Sequence, residues 1–376
     1  MAAARYDVAV IGLGAMGSAA LCELSRRGHR VVGIERFARG HERGSSHGES
    51  RAIRLGYFEH PSYVPLARAA YERWEQLEQL TGESVLTRTG VLEIGRPGSI
   101  LVAGSAEASR LHGIAHEVLT AAEITRRFSQ FNLPDDYSGV FQKDGGFVCA
   151  DLANRLHLQL AEQAGARVVE NCAVSSIEPR QEAVQVVAEG MTVEAESVII
   201  ATGGWIGNLV PQLSVRLKLT RQVLCWFAPK QPDAVALGSL PVFAIDGPED
   251  LAYGFPDLGL GFKCASHLSS GDLADADSAR QDASAADEAQ MRRFLEAFLP
   301  AAAGALIGMK TCIYTRTPDE DFVIDLLPDD PRIVVASPCS GHGFKFASVI
   351  GEVLADLATR RATRHDISRF AIARLA

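Results

Sequence analysis

The sequence predicts an α/β protein in which a dinucleotide-binding domain is joined to a second domain of antiparallel sheet and helices. Three stretches predict it. In the first, an apolar run at 8–11 meets Gly12-x-Gly14-x-x-Gly17; a helix-forming segment and Gly28 follow, and a second apolar run at 31–34 ends on Glu35. In the second, a helix, several short strands and a buried-looking strand at 197–201 lead into Thr202-Gly203-Gly204-Trp205. In the third, a strand at 333–336 runs into Ser340-Gly341-His342-Gly343-Phe344-Lys345-Phe346 and a helix to 357. The 376 residues are enough for two domains.

The first stretch has the order strand, glycine turn, helix, strand, acid that binds a dinucleotide. Gly12 permits the tight turn, Gly14 lets backbone approach a pyrophosphate, and Gly17 lets the helix lie close to the strand. The helix N-terminus presents free N–H groups and the positive end of its dipole to phosphates. Glu35 stands where a carboxylate accepts hydrogen bonds from ribose hydroxyls. The flanking elements raise this well above a bare glycine motif, yet the pattern serves NAD and FAD alike.

Composition narrows the function classes. The chain is 47% hydrophobic and 22% charged, an ordinary balance for a globular domain. With a net charge of -9 and no long basic run, a nucleic-acid partner is not expected. No window reaches the roughly 18 apolar residues of a membrane span, and no secretory signal is read at the N-terminus. A cytoplasmic enzyme is expected. The seven cysteines form no CxxC pair, so no metal site is expected, and free thiols in a reducing compartment fit.

After Glu35 comes a polar loop, 38–54, holding His41, Arg43, His47, Arg51 and Arg54. A basic loop is by default a solvated one. This one follows the second strand, at the carboxyl edge of the sheet where ligands bind, so Arg51 and Arg54 are aimed at anionic groups. The spacing of Leu66, Ala70, Trp74 and Leu77 predicts a helix over 62–80, stopped by Gly82, with Trp74 in the core. A strand is expected over 86–95 and a helix over 100–111, and Thr120-x-x-Glu123 is a capping box opening a short helix. Asp151 is expected to cap a helix over 152–163, ended by Gly165. Strands follow at 167–170, 174–177, 184–188 and 191–195, the last two joined by a Glu189-Gly190 turn. Further strands are expected at 218–227 and 241–245, and Tyr253-Gly-Phe-Pro256 turns into one holding Lys263. Residues 270–285 read as a surface loop, and Ser284-x-x-Asp287 caps a helix that Pro300 ends.

The βαβ start, the meander and the return strand ending in small residues resemble the FAD-binding domain of the glutathione-reductase-like flavoproteins. Further markers are GLGAMGSAA, GSSHGESRAIR with YVPL after it, YGFP followed by Lys263, KTCIYTRTPDEDFVID and SGHGFKFASVIGE. On these, essentially end to end, the chain resembles the monomeric sarcosine oxidase family, which includes N-methyltryptophan oxidase. The resemblance implies an FAD-binding domain of residues 1–84, 145–215 and 313–376, and a substrate domain of 85–144 and 216–312. It implies a flavoprotein oxidase that converts a secondary amino acid to an imine and reduces O₂ to H₂O₂, with FAD attached covalently through Cys312 in KTCIYT.

Residue by residue, the resemblance places Gly12, Gly14, Gly17, Glu35, Arg36, Ser45, Gly203, Gly341, Gly343 and Phe344 around the cofactor, with His47 and Arg51 beside the flavin. Arg54 and Lys345 fall on the pair that holds the substrate carboxylate. A guanidinium can grip it in two-pronged fashion, and an ammonium adds a point charge. Tyr253 and His267 match substrate-pocket positions, and Lys263 matches a lysine that activates O₂. The implied partners are a small-molecule secondary amine and O₂, and the implied state is a monomer. The sequence departs from the family at Ser46-His47, at Tyr57-Phe58, at Ala244 where a larger residue is usual, and at Cys339. These changes bear on the substrate side chain. Pipecolate, another cyclic imino acid or a fructosyl amino acid is the alternative substrate on the same fold. An NAD-dependent dehydrogenase and a non-catalytic flavin-binding protein are more distant readings. No side chain is assigned as the base that deprotonates the amine.

Overall fold

The computed structural model describes residues 4–249, 251–267, 271–278 and 283–375. The eight-stranded sheet is built around Ala4–Ile11, which lies between two parallel neighbours, Met191–Ile200 and Val31–Ile34. A strand flanked in this way and covered by helices is buried on both faces, which is why 8–11 is a continuous apolar run. Asp330–Ser337 extends the parallel array beyond Met191–Ile200, and Arg167–Val169 extends it beyond Val31–Ile34. The helices Ala15–Arg26 and Ala347–Arg360 pack together in one core with these strands. They approach closely because Gly351 has no side chain: a Cβ there would stand 2.7 Å from the Ala19 carbonyl carbon. Both glycine-turn helices therefore start on the same side of one sheet, the arrangement that places their N-termini near a shared ligand.

The second sheet has nine strands and is mostly antiparallel. Its long strand Lys218–Phe227 pairs along its whole length with Leu306–Arg316, setting Cys312 opposite Gln222, and pairs on its other side with Phe262–Ser266. The helix Ala285–Phe298 buries Met291, Leu295 and Phe298 in this sheet's core. Its start is the expected capping box, with Asp287 accepting from the Ser284 N–H at 2.7 Å. The carboxylate also takes both prongs of Arg221 at 2.9 and 2.8 Å. The box at Thr120 and Glu123 forms as well. A third, three-stranded sheet joins Ser50–Ile53, Gly146–Cys149 and Leu86–Arg88.

Several elements differ from the sequence reading. The strand expected over 86–95 is two, Leu86–Arg88 and Val91–Gly95, in different sheets. Gly90 breaks it: its φ is +78°, and a Cβ would meet the Phe141 ring at 2.5 Å. The strands expected at 191–195 and 197–201 are one, Met191–Ile200, whose early part pairs with Val184–Ala188 while its later part continues beside Ala4–Ile11. The exposed Glu196 marks a solvent-facing position there rather than an end. Asp151 caps nothing; Cys149 holds the cap position of Ala150–Gln163, and the Asp151 carboxylate accepts from the Glu49 N–H at 2.7 Å. Tyr253 is on a strand, Leu251–Gly254, rather than in a turn. Of the loop expected at 270–285, positions 270 and 279–282 lie outside the described residues, and Asp272–Leu273 pairs with Lys218–Phe227.

Candidate active site

A cavity of about 980 Å³ opens between the sheets and takes wall residues from all three. It brings together every site residue expected from the sequence except Gly17, His47 and Lys263, which do not line it. Gly17 works from beneath. A Cβ there would lie 1.8 Å from the Gly12 carbonyl oxygen, and one on Gly12 would lie 2.7 Å from that of Ala201. Turn, helix and return strand are thus packed to contact at these two glycines, leaving their backbone as cavity wall.

Glu35 ends the second strand of the parallel array and is buried. Its carboxylate accepts from the Leu13 N–H at 2.7 Å and the Phe37 N–H at 3.0 Å. Burial opposes ionisation, but His41 and these two N–H groups hold its pKa below the ordinary value, so the carboxylate is charged at neutral pH. Ser46, marked in the sequence only as part of the Ser46-His47 departure and not as a cofactor-side residue, has an Oγ that accepts from the Ala15 N–H at 3.0 Å, at the helix N-terminus. Arg36 lies 3.1 Å from Asp277 and stacks near Phe37 and Trp205. Gly203 lines the wall with a φ of +55°. Gly341 and Gly343 leave no room for side chains, a Cβ on Gly343 falling 1.5 Å from the Pro338 oxygen.

Beside this half lies a cluster of positive groups. Arg51 donates to the carbonyls of Ser50, Ser45 and His47 at 2.8, 3.0 and 2.5 Å. Carbonyls hold the guanidinium without cancelling its charge, and the Phe344 ring lies 5.9 Å away. His47 is buried with neither ring nitrogen hydrogen-bonded. Burial, then Arg51, pushes its pKa down to about 4, so it is neutral. Lys263 is fully buried, and its ammonium donates to Gly48 O, Ser50 O and Ser50 Oγ at 2.5, 2.6 and 3.1 Å. Burial and Arg51 lower its pKa. The two carbonyls each take an N–H from this nitrogen, while the Ser50 hydroxyl can either accept a third from the ammonium or donate to the neutral amine. The Cys312 thiol lines the cavity; burial raises its pKa, while Arg51 and Lys263 favour its thiolate. Ser45 Oγ donates to Ile313 O at 2.5 Å, fastening the basic loop to the strand that carries Cys312.

The remaining wall collects Arg54, Lys345, Tyr253 and His267. Tyr253 shares a hydrogen bond with Tyr314, and burial raises its pKa to about 12. Burial lowers His267 to about 4. The Arg54 guanidinium is bracketed by two acids that the residue pattern did not single out: Glu59 at 2.7 Å from Nη2 and Glu93 at 2.6 Å from Nε. Despite burial, Arg54 holds Glu59 down to about 2. Burial wins at Glu93, whose pKa rises to about 6. Glu93 also accepts from Ser105 and, at 3.2 Å, from Gln142. Nothing in sequence spacing marks these acids, because residues 54, 59 and 93 meet only when the strand Val91–Gly95 and the loop after Ser50–Ile53 are folded together.

The family model described as FAD dependent oxidoreductase matches residues 7–357. The chain is 38% identical to a protein named monomeric sarcosine oxidase from Streptomyces avermitilis, over 99% of this chain and 98% of that one. It is 35% identical to a protein named N-methyl-L-tryptophan oxidase from Yersinia pestis, over 98% and 99%. The open form of NikD, described as an unusual amino acid oxidase essential for nikkomycin biosynthesis, superposes with a TM-score of 0.88 at 26% identity, over 98% and 97% of the two chains.

Proposed function

We infer from one premise, that this chain belongs to the FAD dependent oxidoreductase family and within it to the sarcosine oxidase and N-methyltryptophan oxidase group, that it is an FAD-dependent oxidase of secondary amino acids. The observation that carries this reading is one cavity holding a dinucleotide cradle, Cys312, and the cation pair Arg54 and Lys345. The residues fit FAD: glycines whose Cβ positions are already filled, an ionised Glu35 for a ribose, and the uncancelled charge of Arg51 for an electron-rich ring. When bound, FAD supplies the two-electron chemistry, taking electrons from the amine C–N bond and giving them to O₂. Arg54 and Lys345 hold the substrate carboxylate and so orient the amine. Tyr253 and His267, both uncharged at neutral pH, form polar wall without competing for the carboxylate. Lys263 supplies a fixed positive charge near the site of oxygen reduction.

The protein is further proposed to be a cytoplasmic monomer that releases H₂O₂. Incubation with a panel of N-methyl and cyclic amino acids in air, with peroxide detected by a coupled peroxidase, tests the reading; no peroxide with any secondary amino acid would overturn it. A cyclic imino acid such as pipecolate is favoured as a second reading by Ala244, a small residue on the cavity wall that sits in register between Glu93 and Tyr253.

Covalent attachment is proposed at Cys312. Of the seven cysteines, Cys172, Cys312 and Cys339 reach the cavity wall, and of these three only Cys312 has two cations lowering its thiol pKa. Denatured wild-type protein should keep yellow flavin on the polypeptide, and Cys312→Ser should release it. Flavin that washes off the denatured wild type would show the attachment to be absent.

A further inference from the structure

Lys345 is placed by more than its own backbone. Its ammonium donates to His342 O at 2.7 Å and to Tyr57 Oη at 3.4 Å. Its own carbonyl accepts from the buried Trp74 indole at 2.8 Å, which ties this residue to the helix Val64–Thr81. Tyr57 Oη lies 2.6 Å from His342 Nδ1, and His342 Nε2 lies 3.0 Å from Glu320 O. A carbonyl only accepts, so Nε2 of His342 carries the proton and Nδ1 is the acceptor. The Tyr57 hydroxyl must then donate to Nδ1. Its lone pairs are left for Lys345. The chain of donors runs in one direction, from Lys345 to Tyr57 to His342.

The ring packing makes this direction stable. Tyr57 is fully buried, stacked 4.9 Å from Tyr63 and edge-on to Phe346 at 5.3 Å, and His342 stacks on Phe322 at 4.8 Å. Burial keeps both partners neutral: it raises the Tyr57 hydroxyl well above its ordinary pKa and pushes His342 down to about 4. A protonated His342 would turn Nδ1 into a donor and force the tyrosine proton toward the ammonium. With the imidazole neutral, two of the three ammonium N–H bonds are used and one remains for a ligand. Lys263 is the contrast, since three oxygens of the chain itself already surround its nitrogen.

We propose that Tyr57 and His342 are positioning residues for Lys345, fixing its ammonium so that one N–H faces the substrate carboxylate. This rests on the carboxylate role of Lys345 given above. The charged groups that act on Lys345 are Arg54, Glu59 and Glu93, and burial together with Arg54 lowers its pKa to about 7. The sign follows. Below that pH the ammonium is present and anion binding is strong; it fades as pH rises through the value. Removing the Tyr57 acceptor takes away a hydrogen bond that favours the charged form, so the fade moves to lower pH.

The test uses the flavin-loaded enzyme and propionate, a carboxylate without an amine, with binding measured by calorimetry from pH 6 to 9. In Tyr57→Phe, which keeps the ring stack, affinity at pH 7 should drop on the order of tenfold, the scale of one hydrogen bond to a charged group. The descending limb should also move down in pH. His342→Leu should act in the same direction and carries the test if Tyr57→Phe loses its flavin or its cooperative melting. His342→Gln, whose amide oxygen can still accept from Tyr57, should recover most of the affinity. Lys345→Met separates the two readings. If it binds propionate like the wild type, the carboxylate role itself fails. If it binds weakly while both Tyr57→Phe and His342→Leu keep wild-type affinity and limb, the positioning role fails and Tyr57 and His342 are packing alone.

Discussion

Replacing Lys263 with Met is expected to slow reoxidation by O₂ about a hundredfold or more, while reduction by substrate in the absence of oxygen stays within about tenfold. The asymmetry comes from what each half of the reaction asks of a charge. In the proposed reading the substrate is held by Arg54 and Lys345, which line the cavity, whereas Lys263 does not. Dioxygen enters neutral and becomes an anion with its first electron, and a preorganised cation stabilises that anion without reorganising. Lys263 is preorganised to an unusual degree, pinned by Gly48 O, Ser50 O and Ser50 Oγ with the Phe255 ring 4.5 Å from Nζ. With three oxygens already around its nitrogen, its ammonium would act through space as a point charge, adding to Arg51, rather than by donating to oxygen. A neutral Gln should therefore behave like Met, and Arg should restore part of the rate if the pocket admits it. Stopped-flow measurement of the two half-reactions separates the cases. Normal reoxidation in Lys263→Met, with slowed reduction, would transfer this lysine to the substrate side.

Replacing Arg54 with Met is expected to raise KM for an amino acid substrate by tens to thousands of fold, since truncating one partner of a hydrogen-bonded charge pair costs about 2–5 kcal/mol. The bracketing acids make the upper part of that range the expected one. In the wild type Arg54 compensates Glu59 and Glu93 across 2.7 and 2.6 Å. Without it the buried Glu93 and the half-buried Glu59 are left facing each other, both pKa values rise, and any carboxyl that ionises repels an incoming carboxylate. Lowering the pH protonates them, so the KM of the variant should improve toward acid. The decarboxylated amine gives the control: its KM should be unchanged or lower in the variant. An equal rise for the amino acid and for its decarboxylated analogue would make Arg54 a structural residue.

How far the site was legible depends on the range over which each signal acts. The dinucleotide cradle is local. Gly12, Gly17 and Glu35 are fixed by a strand, a turn and a helix within one stretch of chain, and their steric and electrostatic reasons are carried by residue type and spacing. The same holds for the capping boxes at Thr120 and Ser284, which are decided within four residues. Cys312, Arg51, Lys263, Arg54 and Lys345 were reachable as candidates because each sits in a distinctive short motif that resembles a family.

What these candidates do together was decided by long-range pairing. Val91–Gly95 lies beside Val242–Asp246 and across from Ser138–Gln142, and that register brings Glu93 to Arg54 and Gln142 to Glu93. The fold likewise brings Tyr57 to His342 across 285 positions of sequence, and Lys263 to Gly48 across 215. By itself the sequence determined the fold class, the cofactor cradle and the chemical types available to the site, because those follow from local geometry and composition. Only the tertiary structure decided which charges are cancelled, which N–H bonds are spent and which are free. Those depend on distances of about 3 Å between groups far apart in the chain, at which burial strengthens every charge interaction and leaves a hydrogen bond either made or lost.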